Sequence, residues 1–315
     1  MKASSTNKGA KYIDCSNPLD FCIAEETPSY GTPKSFEIYF DNAERSIRLL
    51  KGDCIDILKL ARPNSVDMIF ADPPYFLSNG GITCHAGKMV SVNKGKWDKS
   101  KGAAENHQFI LEWLEACQHV LKPDGTIWVS GTTHIIHSVG FAMQELGLKI
   151  LNDIIWFKRN APPNLSCRYF THSTEIILWA AKNGKSKHYF DYSLMKTTNN
   201  GKQMRNVWEF SAPSVEEKRF GKHPTQKPVD LLRRIILAST KEGDTVLDPF
   251  CGSSTTGVAS VLLNRKFVGI ELEDEYLQLS VKRLRDSISK FNSTLFKEEA
   301  SIVKNGYKEK EHQLI

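Results

Sequence analysis

Val66-Asp67-Met68-Ile69-Phe70-Ala71-Asp72-Pro73-Pro74-Tyr75 decides how this chain is read. An apolar run rich in β-formers, broken abruptly by two prolines, reads as a buried strand emptying into a rigid loop. The prolines fix φ and remove two backbone donors, so the carbonyls of Asp72 and Pro73 are held without helical partners. A carboxylate, a fixed carbonyl and an aromatic face thus gather at the carboxyl end of a strand, the edge at which open α/β sheets bind ligands.

A second stretch has the same grammar. Thr245-Val246-Leu247-Asp248-Pro249-Phe250-Cys251-Gly252-Ser253-Ser254-Thr255-Thr256-Gly257 reads as a strand, a sharp Gly/Ser loop and a helix starting near Thr255. Loop amides and a helix N-terminus suit the carboxylate of an amino-acid group, with Asp248 placed to face its ammonium. Phe250, Gly252, Ser253, Ser254 and Thr255 are the candidate contacts of this loop. The run Arg265-Lys266-Phe267-Val268-Gly269-Ile270-Glu271 is a further strand ending in an acid, a position that commonly binds ribose hydroxyls.

The first loop suits chemistry on an exocyclic amine of a nucleobase. Such an amine is a poor nucleophile because its lone pair is conjugated with the ring. Two acceptors aimed at its N–H bonds favour a tetrahedral nitrogen and stabilise the positive charge that grows during attack. Tyr75 offers a face for a base taken out of the stack. Read alone, the tetrapeptide is also consistent with a plain strand-ending turn.

Asp72-Pro73-Pro74-Tyr75 upstream of Asp248-Pro249-Phe250-Cys251-Gly252 resembles the β-group DNA amino-methyltransferases, in which the catalytic motif precedes the cofactor loop. The resemblance runs from about Arg48 to Leu284. It includes Lys222-His223-Pro224-Thr225-Gln226-Lys227-Pro228 and Asn160-Ala161-Pro162-Pro163-Asn164. It implies S-adenosyl-L-methionine as cofactor, DNA as substrate and Asp72, Pro73, Pro74 and Tyr75 as the catalytic set. Asp72 and Asp53 would also border the cofactor, Asp53 at its adenine, while Thr225 and Lys227 would contact the methionine carboxylate. An initial Asp in this motif goes mostly with adenine N6 and an initial Ser with cytosine N4, so Asp72 favours adenine. N4-cytosine methylation and a non-catalytic DNA-binding regulator on the same fold are the alternatives. The run from Phe70 to Gly81 is similar to methylases of restriction–modification systems, including secondary methylases of GATC-type systems. That likeness implies a homodimer and a companion restriction endonuclease. One position departs from the family: Ser254 stands where a second glycine is expected. Either the site needs positive φ and Ser254 is strained, or its hydroxyl is free to meet the cofactor.

The implied fold is a three-layer α/β/α sandwich, Rossmann-like, with a mainly parallel twisted sheet. Following the family, its last strand pair would be antiparallel. At 315 residues the chain can bury a large core. Its 40% hydrophobic and 25% charged content is that of a globular protein. A net charge of +6 has the sign that favours polyanions. Cysteines at 15, 22, 54, 84, 117, 167 and 251 form no Cys-x-x-Cys pair. That odd, scattered set indicates reduced thiols in the cytoplasm, with neither a disulfide framework nor a metal site. No apolar segment approaches the ~18 residues of a membrane span.

Residues 1–35 read as a loosely held arm, 36–288 as the methyltransferase domain and 289–315 as a frayed tail. Phe36 to Phe40 and Ser46 to Lys51 are expected to form a hairpin around Asp41-Asn42. Asp53 is expected to cap a helix, a role that needs no ligand. The polar stretch from Tyr75 to Lys101 reads as a long loop whose Lys94 and Lys96 would meet phosphates. His107 to Leu121 is an amphipathic helix, and Leu151 to Lys158 pairs with Thr174 to Ala181. The proline-stiffened excursion between that pair carries Arg168 and Tyr169 as DNA contacts and Phe170, for which core burial is the competing reading. Residues 182–221 form a basic, aromatic-studded insertion, the candidate target-recognition region, with Gln203, Arg205 and Asn206 as base readers.

Overall fold

The computed structural model describes residues 12–13, 23–24, 36–78, 82–85, 88–91, 98–164 and 166–312, with side chains left aside at 12–13, 23–24, 82–85, 88–91 and 294–312. Most of the 1–35 arm, together with Lys94 and Lys96, lies outside these residues. Two short strands come first, β1 (Tyr12–Ile13) and β2 (Ile23–Ala24), paired antiparallel. The expected hairpin follows as β3 (Glu37–Asn42) and β4 (Ile47–Lys51). Its turn is held by the Asn42 side chain, which accepts from the Arg45 amide, and by a left-handed Ser46. Asp53 caps α1 (Cys54–Leu60), accepting from the amides of Ile55 and Asp56. The Val66 run is β5 (Val66–Ala71). The loop expected to have no structure of its own contains a small hairpin, β6 (Ile82–His85) with β7 (Lys88–Ser91).

The amphipathic stretch is α2 (Ala103–Val120), followed by β8 (Leu121–Gly131), α3 (Ile136–Glu145), β9 (Lys149–Phe157) and β10 (Thr174–Ala181). The insertion folds as α4 (Tyr192–Thr198) and β11 (Val207–Glu209). The last part of the chain is α5 (Val229–Ser239), β12 (Thr245–Asp248), α6 (Thr255–Leu262), β13 (Lys266–Glu271) and α7 (Asp274–His312). The final helix therefore continues past Ile288, where the tail was expected to begin.

Nine strands form one sheet in the order β11-β9-β10-β8-β5-β12-β13-β4-β3. From β8 to β4 every pairing is parallel. The expected antiparallel final pair is not found: β12 and β13, last in the chain, run parallel. The antiparallel strands are instead β10, between β8 and β9, and the β3 edge. The reason lies in the connections. β12 reaches β13 through the crossover helix α6, which parallel neighbours require, whereas β9 returns as β10 through a hairpin-like excursion.

Both sheet faces are buried, as a parallel sheet demands. Ile69 and Ala71 face the core made with Trp113, Leu114 and Val139 of α2 and α3. Met68 and Phe70, the alternate residues, face the core made with Leu231, Ile235, Ala259 and Leu277 of α5, α6 and α7. This makes three layers. Trp128 and Trp179 stack on the second face with ring centroids 4.6 Å apart. The topology sends the carboxyl ends of β4, β5, β8, β12 and β13 to one edge, where antiparallel β10 contributes its amino end.

Candidate active site

Two prolines leave the loop after β5 short of donors, and the next amides are gathered by one buried acid. Asp98 accepts from the amides of Tyr75 and Phe76 at 2.8 Å each, from Leu77 at 3.3 Å and from the Ser78 hydroxyl at 2.8 Å. Phe76 takes a left-handed φ of 57° to allow this. Asp98 therefore fixes the shape of the Asp72 loop. It sits 23 residues past Tyr75 in a lysine-rich stretch, with no local pattern to announce it.

Both oxygens of Asp72 are engaged. Oδ1 accepts from the Tyr75 hydroxyl at 2.6 Å, and Oδ2 accepts from the Lys227 ammonium at 2.6 Å. The same Nζ lies 3.1 Å from the Tyr75 oxygen, 5.6 Å from the centroid of its ring and 3.5 Å from Oε2 of Glu175. Glu175 in turn is ion-paired with Lys158. Lys227 was expected on the methionine carboxylate. Its ammonium instead lies between two acids, and the side chain is only 5% exposed. Burial raises the Asp72 carboxyl above its ordinary value, with Glu175 adding to the rise and Lys227 opposing it. For Lys227 burial works downward, but Asp72 and Glu175 together raise it, so it is a cation. Glu175 feels the same burial, yet Lys227 and Lys158 hold it below the usual carboxylate range.

The second loop is built from beneath. Arg283 of α7 donates to the Ser253 carbonyl, and at 3.0 Å to the hydroxyls of Ser253 and Thr255; Ser280 donates to the Gly252 carbonyl at 2.7 Å. Gly252 has φ +49°, where a side chain adds strain, and a Cβ there would lie 2.9 Å from Nε2 of His223, so both its backbone and its neighbour favour glycine. Glu271 accepts from the amides of Gly252, Leu272 and Glu273 at 2.8, 2.8 and 2.9 Å. Even so, burial leaves its carboxyl above the ordinary value. Asp248 accepts from the Thr256 hydroxyl at 2.6 Å and the Phe250 amide at 3.1 Å, while burial pushes it up to about 7.

Ser254 resolves the alternatives left by the sequence. It has φ +52° and ψ +42°, the conformation the family's glycine would adopt without cost. The side chain is fully buried, with Oγ 3.6 Å from the Cys251 sulfur, and it does not line the cavity. Its expected place among the cofactor contacts is therefore corrected: the left-handed backbone turns the hydroxyl inward.

Asp53, Asp72, Pro73, Pro74, Tyr75, Thr225, Lys227, Asp248, Phe250, Gly252, Ser253, Thr255 and Glu271 all line one cavity of about 280 Å³. For Asp53 both amide bonds of its cap go to Oδ1, so capping and lining the cavity coexist. Among the described residues, those singled out for DNA do not line the cavity. Arg168 and Tyr169 are exposed on the excursion between β9 and β10, and Arg205 and Gln203 are exposed before β11. Asn206 is spoken for: its amide donates to the Asp153 carbonyl at 2.8 Å and so ties the insertion to β9. Phe170 is 96% exposed, which overturns core burial. No group of three or more His, Cys, Asp or Glu suited to a metal occurs among the described residues. Asp98, Glu175, His223 and Arg283 are the site-building residues that sequence reasoning missed.

The lining has a definite chemistry: a buried acid and loop amides at the Asp248 end, an acid at the end of β13, and a proline-locked acid on β5. Together with a mainly parallel sheet, this defines a ligand-binding α/β protein with its site at the strand ends. Residues 66–282 match the DNA methylase family N6_N4_Mtase, and the chain belongs to that family. It is 58% identical over 237 residues to the type II methyltransferase M2.DpnII of Streptococcus pneumoniae, covering 75% of this chain and 88% of that one. It is also 58% identical over 256 residues to the type II methyltransferase M2.LlaDCHI of Lactococcus lactis subsp. cremoris, covering 81% and 94%. Among solved structures, the M1.HpyAVI–SAM complex is 31% identical, with a TM-score of 0.57 and coverage of 76% of this chain and 98% of that one.

Proposed function

We propose that this DNA methylase transfers a methyl group from S-adenosyl-L-methionine to the N6 amine of adenine at specific sites in DNA, within a restriction–modification system. The observation that carries the reading is that Asp72-Pro73-Pro74-Tyr75 and the Asp248–Thr255 loop line one cavity. The cofactor supplies an electrophilic sulfonium methyl; the chain's own residues prepare the amine.

At the Asp248 end, the carboxylate receives the ammonium and the amides of Ser253 and Thr255, at the start of α6, receive the carboxylate of the amino-acid group, with Glu271 and Asp53 left for ribose and adenine. At the other end, Asp72 and the Pro73 carbonyl accept the two N–H bonds of the target amine and localise its lone pair. Tyr75 braces Asp72 through its hydroxyl and offers its ring to the base. Lys227 holds the carboxylate and the Tyr75 hydroxyl before DNA arrives. It withdraws to Glu175, its second partner at 3.5 Å, as the base enters. The surplus proton on the methylated nitrogen is held at Asp72 until water removes it.

The DNA methylase family supports DNA as substrate. The type II relatives support a restriction–modification setting; a companion restriction endonuclease, action in the cytoplasm and a homodimer belong to the same proposal. No described helix is long and apolar enough to cross a membrane. The test is to incubate the protein with labelled S-adenosyl-L-methionine and unmodified DNA, digest to nucleosides and analyse them by mass spectrometry. N6-methyladenine is expected. N4-methylcytosine would overturn the base assignment, and DNA binding without any transfer would favour a regulator.

A further inference from the structure

The excursion between β9 and β10 projects an aromatic ring into solvent, five residues ahead of Glu175 in the Lys227–Asp72 cluster. Phe170 is 96% exposed and its neighbour Tyr169 is 61% exposed. Exposure of this size on an ordered protein surface marks a contact surface when something holds it out. Several contacts hold this one. Lys158 N donates to the Ser173 carbonyl at 2.8 Å and closes the base of the excursion. The Asn164 side chain donates to the Tyr169 carbonyl at 2.6 Å and accepts from the Ser166 amide at 3.0 Å. The Tyr169 ring packs on His172 with centroids 5.5 Å apart. Phe170 has no such ring partner among the described contacts.

The root of the excursion is the reaction centre. Glu175, five residues past Phe170, lies 3.5 Å from Lys227, which lies 2.6 Å from Asp72. Arg168, exposed beside the two rings, carries the charge that a phosphate backbone requires. Asp72 lines a cavity and is itself mostly buried, so a base that remains stacked in a duplex cannot reach it. The base must leave the stack, and the unstacked step costs free energy unless something fills it.

We propose that Phe170 is a wedge that enters the base stack of duplex DNA and fills the space left by the extruded adenine, with Arg168 on the adjoining phosphate. A phenyl ring stacks on any base and has no hydrogen-bonding groups, so this residue serves extrusion and reads no sequence. The proposal rests on the reading that the substrate is a base in DNA.

The test uses the full chain and a duplex containing the site found by sequencing DNA from cells that express it. Two substrates are compared: the ordinary duplex, and the same duplex with an abasic position opposite the target, where extrusion needs little help. A parallel pair carries 2-aminopurine at the target, whose fluorescence rises when the base unstacks. F170A should lower the methylation rate on the ordinary duplex about 10- to 100-fold and lose the fluorescence rise, with both restored on the abasic duplex. F170W should keep both. Equal losses on the two duplexes, or no loss on the ordinary one, would overturn the wedge; equal losses accompanied by reduced self-association would assign Phe170 to a contact between copies. A wild-type protein that raises the fluorescence but methylates neither duplex would sink the enzyme reading and leave the wedge standing.

Discussion

The two ends of the cavity are built on opposite plans. At the Asp248 end, buried groups on α7 hold the loop from outside, so that its cavity-facing groups are set before a ligand arrives. Asp248 has both oxygens engaged by neutral donors, the Phe250 amide and the Thr256 hydroxyl, whereas at the Asp72 end one oxygen meets the Tyr75 hydroxyl and the other a buried cation, Lys227. One end is preorganised for its ligand; the other is occupied by the chain's own cation. The difference accounts for an order of events. On the proposed roles, the cofactor meets a loop already held in shape, whereas the target amine meets an Asp72 that is paired with a buried cation. Removing one partner of such a pair is costly because the other charge remains buried, and in the proposed mechanism Glu175, 3.5 Å away, keeps Lys227 paired when it leaves Asp72.

Four substitutions press on this contrast. The largest effect is expected for Asp72→Ala, which removes the acceptor and should lower methyl transfer in single turnover by about 10²–10³-fold. Lys227 retains Glu175, so cofactor affinity and DNA binding, read by calorimetry and anisotropy, should change little. Comparable loss of all three would mean that the ion pair holds the whole cavity together. Glu175→Gln comes next. It leaves Asp72 as the one acid beside Lys227, strengthens that pair and should lower kcat about tenfold (~1.4 kcal/mol of barrier). An unchanged kcat would show that Lys227 does not need Glu175 in order to move.

Asp248→Asn tests the preorganised end and should weaken cofactor binding about 10- to 100-fold, the worth of one hydrogen bond to a charged group. The wild type adds a pH signature. Its Asp248 titrates at about 7, so below that pH the free protein carries a proton that an ammonium ligand must expel. Cofactor affinity should fall below pH 7, with proton release measurable by calorimetry in buffers of different ionisation enthalpy. Folding stability responds in the same window. The folded-state pKa lies above that of an unfolded carboxylate (about 3.9), so the folded form binds more protons between the two values. This group's contribution therefore falls as pH rises from about 4 to 7. Asp248→Asn should abolish both dependences. The smallest effect is Ser254→Gly, which relieves about 1–2 kcal/mol of left-handed strain but adds roughly 0.5–1 kcal/mol of unfolded-chain entropy. Tm should rise by about 1–2 °C, and cofactor affinity should stay unchanged because the side chain faces away from the cavity.

What could be read from the chain is what local chemistry determines. The Val66–Ala71 strand, the proline-locked loop, the Gly252 turn and the cap by Asp53 follow from short-range patterns of hydrophobicity, φ and donors. The partners do not. Glu175 meets Lys227 only because β10 runs antiparallel to β8 and brings its amino end to the edge where β5 finishes. Asp98 and Arg283 act across 23 and 30 residues, through hydrogen bonds for which no spacing rule exists. At Lys227 the motif gave the residue and its place in the cavity but not its acidic neighbours. The residue type was right for an anion, but the nearest anion is Asp72. At Ser254, by contrast, the departing residue itself pointed to the backbone conformation.

The most direct measurement is the position of the Lys227 ammonium in a crystal structure of the protein with cofactor product and duplex DNA. The expected result is Nζ on Glu175, with the extruded adenine amine between Asp72 and the Pro73 carbonyl. A Lys227–Asp72 pair still closed at 2.6 Å, with the target amine held by other groups, would contradict it.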